Sequence, residues 1–259
     1  TGATLMIAGV AVTPANANPA GTDLVISEVF GAGGNNGALV NADFVELYNP
    51  TDAAIDLNGL SIHYRALAGA SGGAPYALAG EVPAHGSWLI QMGAVGANGA
   101  ALPTPDSVAS PAFSMAGPGG QVYLLHGTTE ITTNGNTVGN PLVVDMVGLN
   151  SSTSFETASG PTTTGDLSAN RDAAGADTDN NSVDFTLAAP TPTNSGTTGG
   201  GGTTDATIAE IQGVDTQVSP FLGESVRTEG VVTAAYATGG LNGFYLQTAV
   251  GGIKLSREF

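Results

Sequence analysis

Glycine and proline punctuate this sequence so densely, at 39 and 14 of 259 residues, that no stretch of a dozen combines helical periodicity with freedom from both. Such a chain is confined to short strands joined by turns. The apolar runs between the breaks are of the right kind. Leu24–Phe30 (LVISEVF), Ser87–Met92 (SWLIQM), Gln121–His126 (QVYLLH) and Leu142–Leu149 (LVVDMVGL) are rich in Val, Ile, Leu and aromatic residues. The 41% hydrophobic share is inflated by alanine, which buries little area, yet these runs suffice for a β core.

Asp43–Asn49 (DFVELYN) passes for a short helix, but its Phe, Val and Tyr, with Asn49-Pro50 behind them, favour a strand ending in a turn. Gly31–Gly37 reads as a flexible inter-strand loop, Asn58-Gly59 as a turn before a strand at Leu60–Tyr64, and Asp184–Leu187 as a further strand. Their number and spacing are those of an all-β sandwich. Composition changes at Ala189–Thr204 (APTPTNSGTTGGGGTT), a Pro-then-Gly/Thr stretch of the kind that separates domains. Beyond it, Thr207–Gln212 (TIAEIQ), Ser225–Thr233 and Gly243–Gln247 read as a second set of strands, with no closing strand before Phe259.

Leu5–Val12 (LMIAGVAV), then Thr13, Pro14 and the small triplet Ala15-Asn16-Ala17, follow the order of a secretory signal's apolar region and cleavage site. Residues 1–17 are therefore expected to be a signal-peptide remnant, and the protein to be secreted or extracellular. No transmembrane segment is expected, since a bilayer takes about twenty apolar residues. The absence of Cys excludes disulfides, thiolate zinc sites and Cys nucleophiles. Five Lys and Arg stand against 22 Asp and Glu, a net charge of −17. Nucleic acid binds mainly through Lys and Arg that displace counterions, so direct nucleic-acid binding by this segment is disfavoured. An acidic surface suits solubility outside the cell, high salt or divalent cations instead.

Leu24–Tyr64 resembles the bacterial lamin-tail domain: an I-S-E strand at Ile26–Glu28, a Gly-rich loop, D-F-V-E-L-Y-N-P at Asp43–Pro50, and D-L-x-G-x-S at Asp56–Ser61. The resemblance continues through Val144–Gly148 (VDMVG), Ser154-Phe155, Gly175–Phe185 (GADTDNNSVDF) and Pro190–Ser195 (PTPTNS). It implies an immunoglobulin-like β-sandwich. Ile208–Gln247, with IAEIQG, VRTEGVVTAAY and GFYLQ, resembles the start of the OB-fold-like domain of large secreted bacterial nucleases. In those proteins a lamin-tail domain, an OB-like domain and a metal-dependent endonuclease/exonuclease/phosphatase domain follow one another. That third domain, with its expected Mg or Mn, is missing from this sequence, so the resemblance assigns no catalytic residue here. Gly251–Phe259 departs from the pattern. The expected layout is a signal remnant at 1–17, a lamin-tail sandwich at 18–193, a Gly/Thr linker at 194–206 and a truncated OB-like barrel at 207–259.

Several residue patterns could carry chemistry. Gly69-Ala70-Ser71-Gly72-Gly73 matches G-x-S-x-G, but Pro75, Gly80 and Pro83 forbid the helix that a nucleophile elbow needs after it. Gly31–Gly37 has Asn36 where a phosphate loop requires its third Gly. His63, His85 and His126 are scattered, without zinc-ligand spacing. Glu28 and Glu46 lie within apolar strands and are candidates for paired-carboxylate chemistry or cation binding, against the plainer expectation that they face water or accept backbone hydrogen bonds. In Asp177–Asp184 (DTDNNSVD), the oxygen side chains of Asp177, Asp179 and Asn181 match the opening of a calcium loop. Ser182 stands where an EF-hand has Gly and Ala188 where it has its terminal Glu, and Asx-rich turns also satisfy their own backbone without metal. Calcium at Asp177, Asp179 and Asn181 is the metal site the sequence pattern puts forward as an expectation.

Two functions fit. The first is a non-catalytic N-terminal accessory region of a secreted bacterial nuclease, partnered by a C-terminal catalytic domain outside these residues. The alternative is an extracellular interaction or adhesion module that contacts a cell-surface or extracellular partner. The opening strands of the second domain favour the first.

Overall fold

Runs that are β-branched and apolar pair side by side, and the two-residue period of a strand sends their side chains to opposite faces. The computed structural model describes residues 22–133, 135–137, 139–172, 175–196, 204–212, 226–236, 243–247 and 255–258. The expected signal remnant at 1–17 and the central Gly/Thr run lie outside them. By contacts the chain divides into two units, Thr1–Gly196 and Thr197–Phe259.

The first unit contains β1 (Val25–Phe30), β2 (Phe44–Tyr48), β3 (Ile55–Asp56), β4 (Leu60–Arg65), β5 (Tyr76–Ala77), β6 (Glu81–Val82), β7 (Ser87–Gln91), β8 (Ser107–Val108), β9 (Gln121–His126), β10 (Val143–Gly148), β11 (Ser168–Arg171), α1 (Asn181–Asp184) and β12 (Phe185–Ala188). A six-stranded sheet runs β12-β11-β1-β2-β7-β8, a four-stranded sheet runs β10-β9-β4-β5, and β3 pairs with β6. Ile26, Val29, Val45, Leu47, Trp88 and Ile90 of the first sheet share one buried cluster with Leu60, Ile62, Tyr64, Val122, Leu124 and Val147 of the second. The architecture is all-β, an immunoglobulin-like sandwich.

A bulge between Ile26 and Glu28 interrupts the β1–β2 register. It lets Ile26 and Val29, three apart, both join the core, and turns Glu28 to the opposite face with Phe30. That face is covered: Phe30, Phe44 and Leu89 pack with Ala32, Ala38 and Val40 from the loop between β1 and β2. On the other sheet, Tyr123, Leu125, Val143 and Met146 pack under Ile131. With loops laid over both outer faces, Glu28, Glu46, His63 and Arg65 are buried as well. Strand alternation would have left these carboxylates facing water.

The loop between β1 and β2, expected to be flexible at Gly31–Gly37, is hydrogen-bonded within itself and to neighbouring segments. Gly34 N–H donates to Val40 O at 3.0 Å, Leu39 N–H to Gly165 O at 3.1 Å and Asn41 N–H to Ala100 O at 2.8 Å. Gly33 lies so close to the chain that a Cβ there would overlap the Ala42 carbonyl carbon, whereas one on Gly37 would meet nothing within 4 Å.

In the second unit β13 (Thr204–Asp205) runs parallel to β14 (Val226–Arg227), and β15 (Val231–Tyr236), β16 (Gly243–Gln247) and β17 (Leu255–Glu258) form an antiparallel sheet. Two expectations are corrected here. Thr207–Gln212 is not a strand: Ile208–Gln212 is a short helix, α2. Thr207 N–H and Oγ both donate to Glu210 Oε2 at 2.8 Å, and Glu210 N–H reaches back to Thr207 Oγ at 3.3 Å, a reciprocal capping box. A strand also comes after β16, since β17 pairs with it from Gly243↔Glu258 to Leu246↔Leu255. Among the described residues no helix is long and apolar enough to cross a membrane.

The loop packing separates two glycine substitutions. Gly33→Ala, which collides with backbone, is expected to cost about 3 kcal/mol. Gly37→Ala, which meets only the strain of a φ of 82°, should cost about 1 kcal/mol. Urea unfolding midpoints measure both, and equal losses would contradict the packed loop.

Candidate functional site

A buried cation sits where the two sheets meet. Arg171, the last residue of β11, has a side chain that is 0% exposed. Its Nε–H donates to Ile26 O at 3.0 Å and its Nη1–H to Ala176 O at 2.8 Å. Nη1 also lies 3.3 Å from both Asp177 Oδ1 and Asp184 Oδ2, and Nη2 lies 3.4 Å from Asp145 Oδ2. The Phe185 ring closes one side, its centroid 4.6 Å from the guanidinium carbon. Asp145 Oδ2 accepts the Ile26 N–H at 2.6 Å. Both backbone polar groups of Ile26, at the bulge, are therefore met by side chains.

Glu156 completes the cluster from the turn after β10. One carboxylate oxygen from each of Asp145, Glu156 and Asp177 lies within 4.8 Å of the other two. Burial pushes Glu156 far above the usual carboxylate range, and the neighbouring Asp145 and Asp177 add to it. Burial also raises Asp145, against the pull of Arg171. For Arg171 burial works downward, but Asp145, Asp177, Asp184 and Glu156 together hold it above its ordinary value.

The calcium-loop residues read from the sequence separate here. Asp177 joins the cluster. Asp179 stands half-buried at a left-handed φ of 57°, its N–H 3.4 Å from Asp177 Oδ1. Asn181 is wholly buried. Its Oδ1 accepts from Gly148 N–H at 2.9 Å and Glu156 N–H at 3.1 Å, while its Nδ2 donates to Met146 O at 3.1 Å and Glu156 Oε2 at 2.8 Å. Its amide thus positions Glu156 and β10. Asp184 organises the loop, taking the Thr178 N–H at 3.0 Å and the Thr178 Oγ–H at 2.6 Å. Sequence reasoning missed Asp145 and Glu156. Asp145 carried the same signal as Glu28 and Glu46, an acid inside an apolar strand, while Glu156 carried none.

Glu28 and Glu46 are direct partners across β1 and β2. They hold the segment that leaves β12. Thr191 N–H donates to Glu28 Oε1 at 3.0 Å, Thr193 N–H to Glu46 Oε2 at 2.7 Å, and Ser195 N–H to Asp106 Oδ2 at 2.9 Å. Ser168 Oγ also donates to Glu28 at 2.6 Å and Ser87 Oγ to Glu46 at 2.8 Å. Pro190–Ser195 is thereby strapped across the outer face of the six-stranded sheet, and the expected linker is bound as far as Ser195. Burial raises Glu28, and it raises Glu46 to about 7, with the Glu28 charge contributing.

Other candidates lie apart. Asp43 accepts from Gly33 N–H at 2.8 Å and Met115 N–H at 3.3 Å, beside a pocket of about 290 Å³ lined also by Asn35, Phe113 and Ser114. Burial raises its carboxyl to about 6. Ser71 is exposed in the turn after β4, with its Oγ and the Gly73 N–H 3.1 Å apart, and lies 3.4 Å from His63 Nε2. Burial lowers His63. His85 pairs with Asp52 at 2.7 Å on the surface, and His126 is exposed three register positions from His63.

A family model described as Lamin Tail Domain matches residues 17–184. No curated protein matches the chain. Among solved structures, the crystal structure of a DUF4876 family protein from Bacteroides thetaiotaomicron VPI-5482 aligns at 14% identity with a TM-score of 0.40, over 64% of this chain and 70% of that chain.

Two measurements test the energetics of the site. Groups with raised carboxyl pKa values hold protons more tightly when folded, so their stabilisation is complete below the unfolded range and is lost as pH rises through the folded value. For Glu46 that window runs from 4.5 to about 7. Urea unfolding should therefore show lower stability at pH 8 than at pH 5, and Glu46→Gln should flatten the profile by up to about 3 kcal/mol. A rise in stability across the window would contradict the buried carboxylates. Arg171→Lys keeps the charge but loses the fork that bridges Ile26, Ala176 and three aspartates, and is expected to destabilise by about 3 kcal/mol or more. Thermal unfolding indistinguishable from the native chain would refute it.

Proposed function

Because the chain belongs to the lamin-tail-domain family, we propose that its sandwich is a non-catalytic module that positions a partner domain in a secreted bacterial nuclease. The strap carries this reading. Three carboxylates fix Thr191, Thr193 and Ser195, so the chain leaves the sandwich from a set point on its surface and enters the Gly/Thr run from there. A module built to hold its exit segment suits the mounting of a neighbouring domain.

The pattern of Ile208–Gln247 supports a nuclease parent through its resemblance to the OB-like domains of such enzymes. The net charge of −17 supports a phosphate chemistry that lies outside these residues, since a field of that sign repels a nucleic-acid backbone. Hydrolysis would then fall to a metal-dependent phosphodiesterase domain outside these residues, where a cation would activate water. The apolar run and cleavage triplet at 5–17 support export.

Purified chain, incubated with plasmid DNA and Mg²⁺, Mn²⁺ or Ca²⁺, should cleave no faster than a heat-killed control, and the reading frame after Phe259 should encode a metal-hydrolase domain. Metal-dependent cleavage that survives repurification would overturn the non-catalytic reading. Further sandwiches or a surface anchor downstream would overturn the nuclease parent.

A further inference from the structure

The cluster around Arg171 holds more negative charge than one guanidinium balances. The side chains of Asp145, Asp177 and Asp184 are almost wholly withdrawn from water, and Glu156 is buried beside them. Four carboxylates around one cation leave a surplus in a medium where an uncompensated charge is costly. Such a surplus is balanced by a proton or by a second cation.

Asp145 distinguishes the two. Its Oδ2 is engaged by Ile26 N–H and by Arg171, but its Oδ1 has no hydrogen-bond partner among the described residues although the residue is only 2% exposed. Buried acceptors are nearly always satisfied, so the second oxygen of a carboxylate that Arg171 reaches only through the first is left open to another positive partner. A single proton shared within the group joins two oxygens, whereas a metal ion meets one from each of three residues.

We propose that Asp145, Glu156 and Asp177 bind a hard divalent cation, calcium in preference to magnesium. Their oxygens, within 4.8 Å of one another, fall inside the span of ligands that each stand about 2.3–2.6 Å from a calcium centre. Three carboxylates, mono- or bidentate, supply a large part of the six to eight oxygens calcium takes, while magnesium retains waters that a buried site does not accommodate. Asn181, through its 2.8 Å bond to Glu156 Oε2, orients one ligand. Arg171 balances the charge that remains. The site shares only Asp177 with the loop pattern in the sequence and joins β10, the turn after it and the loop before α1.

The test is thermal unfolding of the full chain, stripped with chelator and then titrated with CaCl₂ or MgCl₂. Calcium should raise Tm by several degrees and saturate, with magnesium weaker. Glu156→Gln is close in shape to a protonated Glu156, so it should fold and lose the calcium response. No saturable rise, or an equal rise in Glu156→Gln, would mean that calcium binds only to the acidic surface or not at all, and overturns the site. Should Glu156→Gln fail to fold, anomalous scattering from native crystals grown in calcium decides: an ion between Asp145, Glu156 and Asp177 supports the site, and none there refutes it.

Discussion

Arg171 is the point on which the sandwich turns. The β1–β11 ladder pairs Glu28 with Asn170 and Val29 with Ala169 and goes no further, because the bulge in β1 carries Ile26 out of register. Arg171 and Asp145 replace the missing strand bonds with side-chain ones, and Asp145 comes from the opposite sheet. The interior of the fold is thus crossed at this edge by charge rather than only by packed hydrocarbon. Buried ion pairs contribute little net stability against an apolar alternative, but breaking one side of them is expensive. Their value here is registration: the guanidinium fork fits only when β1, β10, β11 and the loop before α1 all lie at one setting.

The same use of acidity recurs elsewhere. Glu28, Glu46, Asp43, Asp106, Asp145 and Asp184 each accept a backbone N–H from a segment distant from their own strand or from an irregular loop. A chain rich in glycine turns leaves many amides without ladder partners, and buried amides must be met. Carboxylates form strong bonds to such groups, at the expense of their own desolvation. Part of the net charge of −17 is therefore internal architecture rather than surface.

Much of the fold was legible because strand periodicity and turn chemistry are local. The strands at Gln121–His126 and Gly243–Gln247 lie where their apolar runs place them, and the Asn58-Gly59 turn has the positive φ of 86° at Gly59 that it requires. What escaped was non-local or polar. Ser168–Arg171 (SANR) forms a strand without apolar pattern because β1 and β12 enclose it. Thr207–Gln212 reads as a strand by composition, yet its T-x-x-E pattern was a visible helix signal that outweighed it. The acidic loop at Asp177–Asp184 stands out in the sequence, but Asp145 and Glu156, remote in sequence, decide what Asp177 faces. The covering of the outer faces had no sequence signal, because period two alone does not reveal a third layer.

The strap across the sheet has a mechanical meaning. β12 is an edge strand, and tension applied to the chain just after Ala188 would peel it from β11 one bond at a time. Because Pro190–Ser195 first crosses β1 and β2 to Asp106 beside β8, a pull from beyond Ser195 loads three carboxylate anchors before it reaches that edge. The prolines at 190 and 192 have no N–H to give, so the donors fall on alternate residues, spaced to step from one strand to the next. Peeling of β12 from that side would therefore require the strap to come away first.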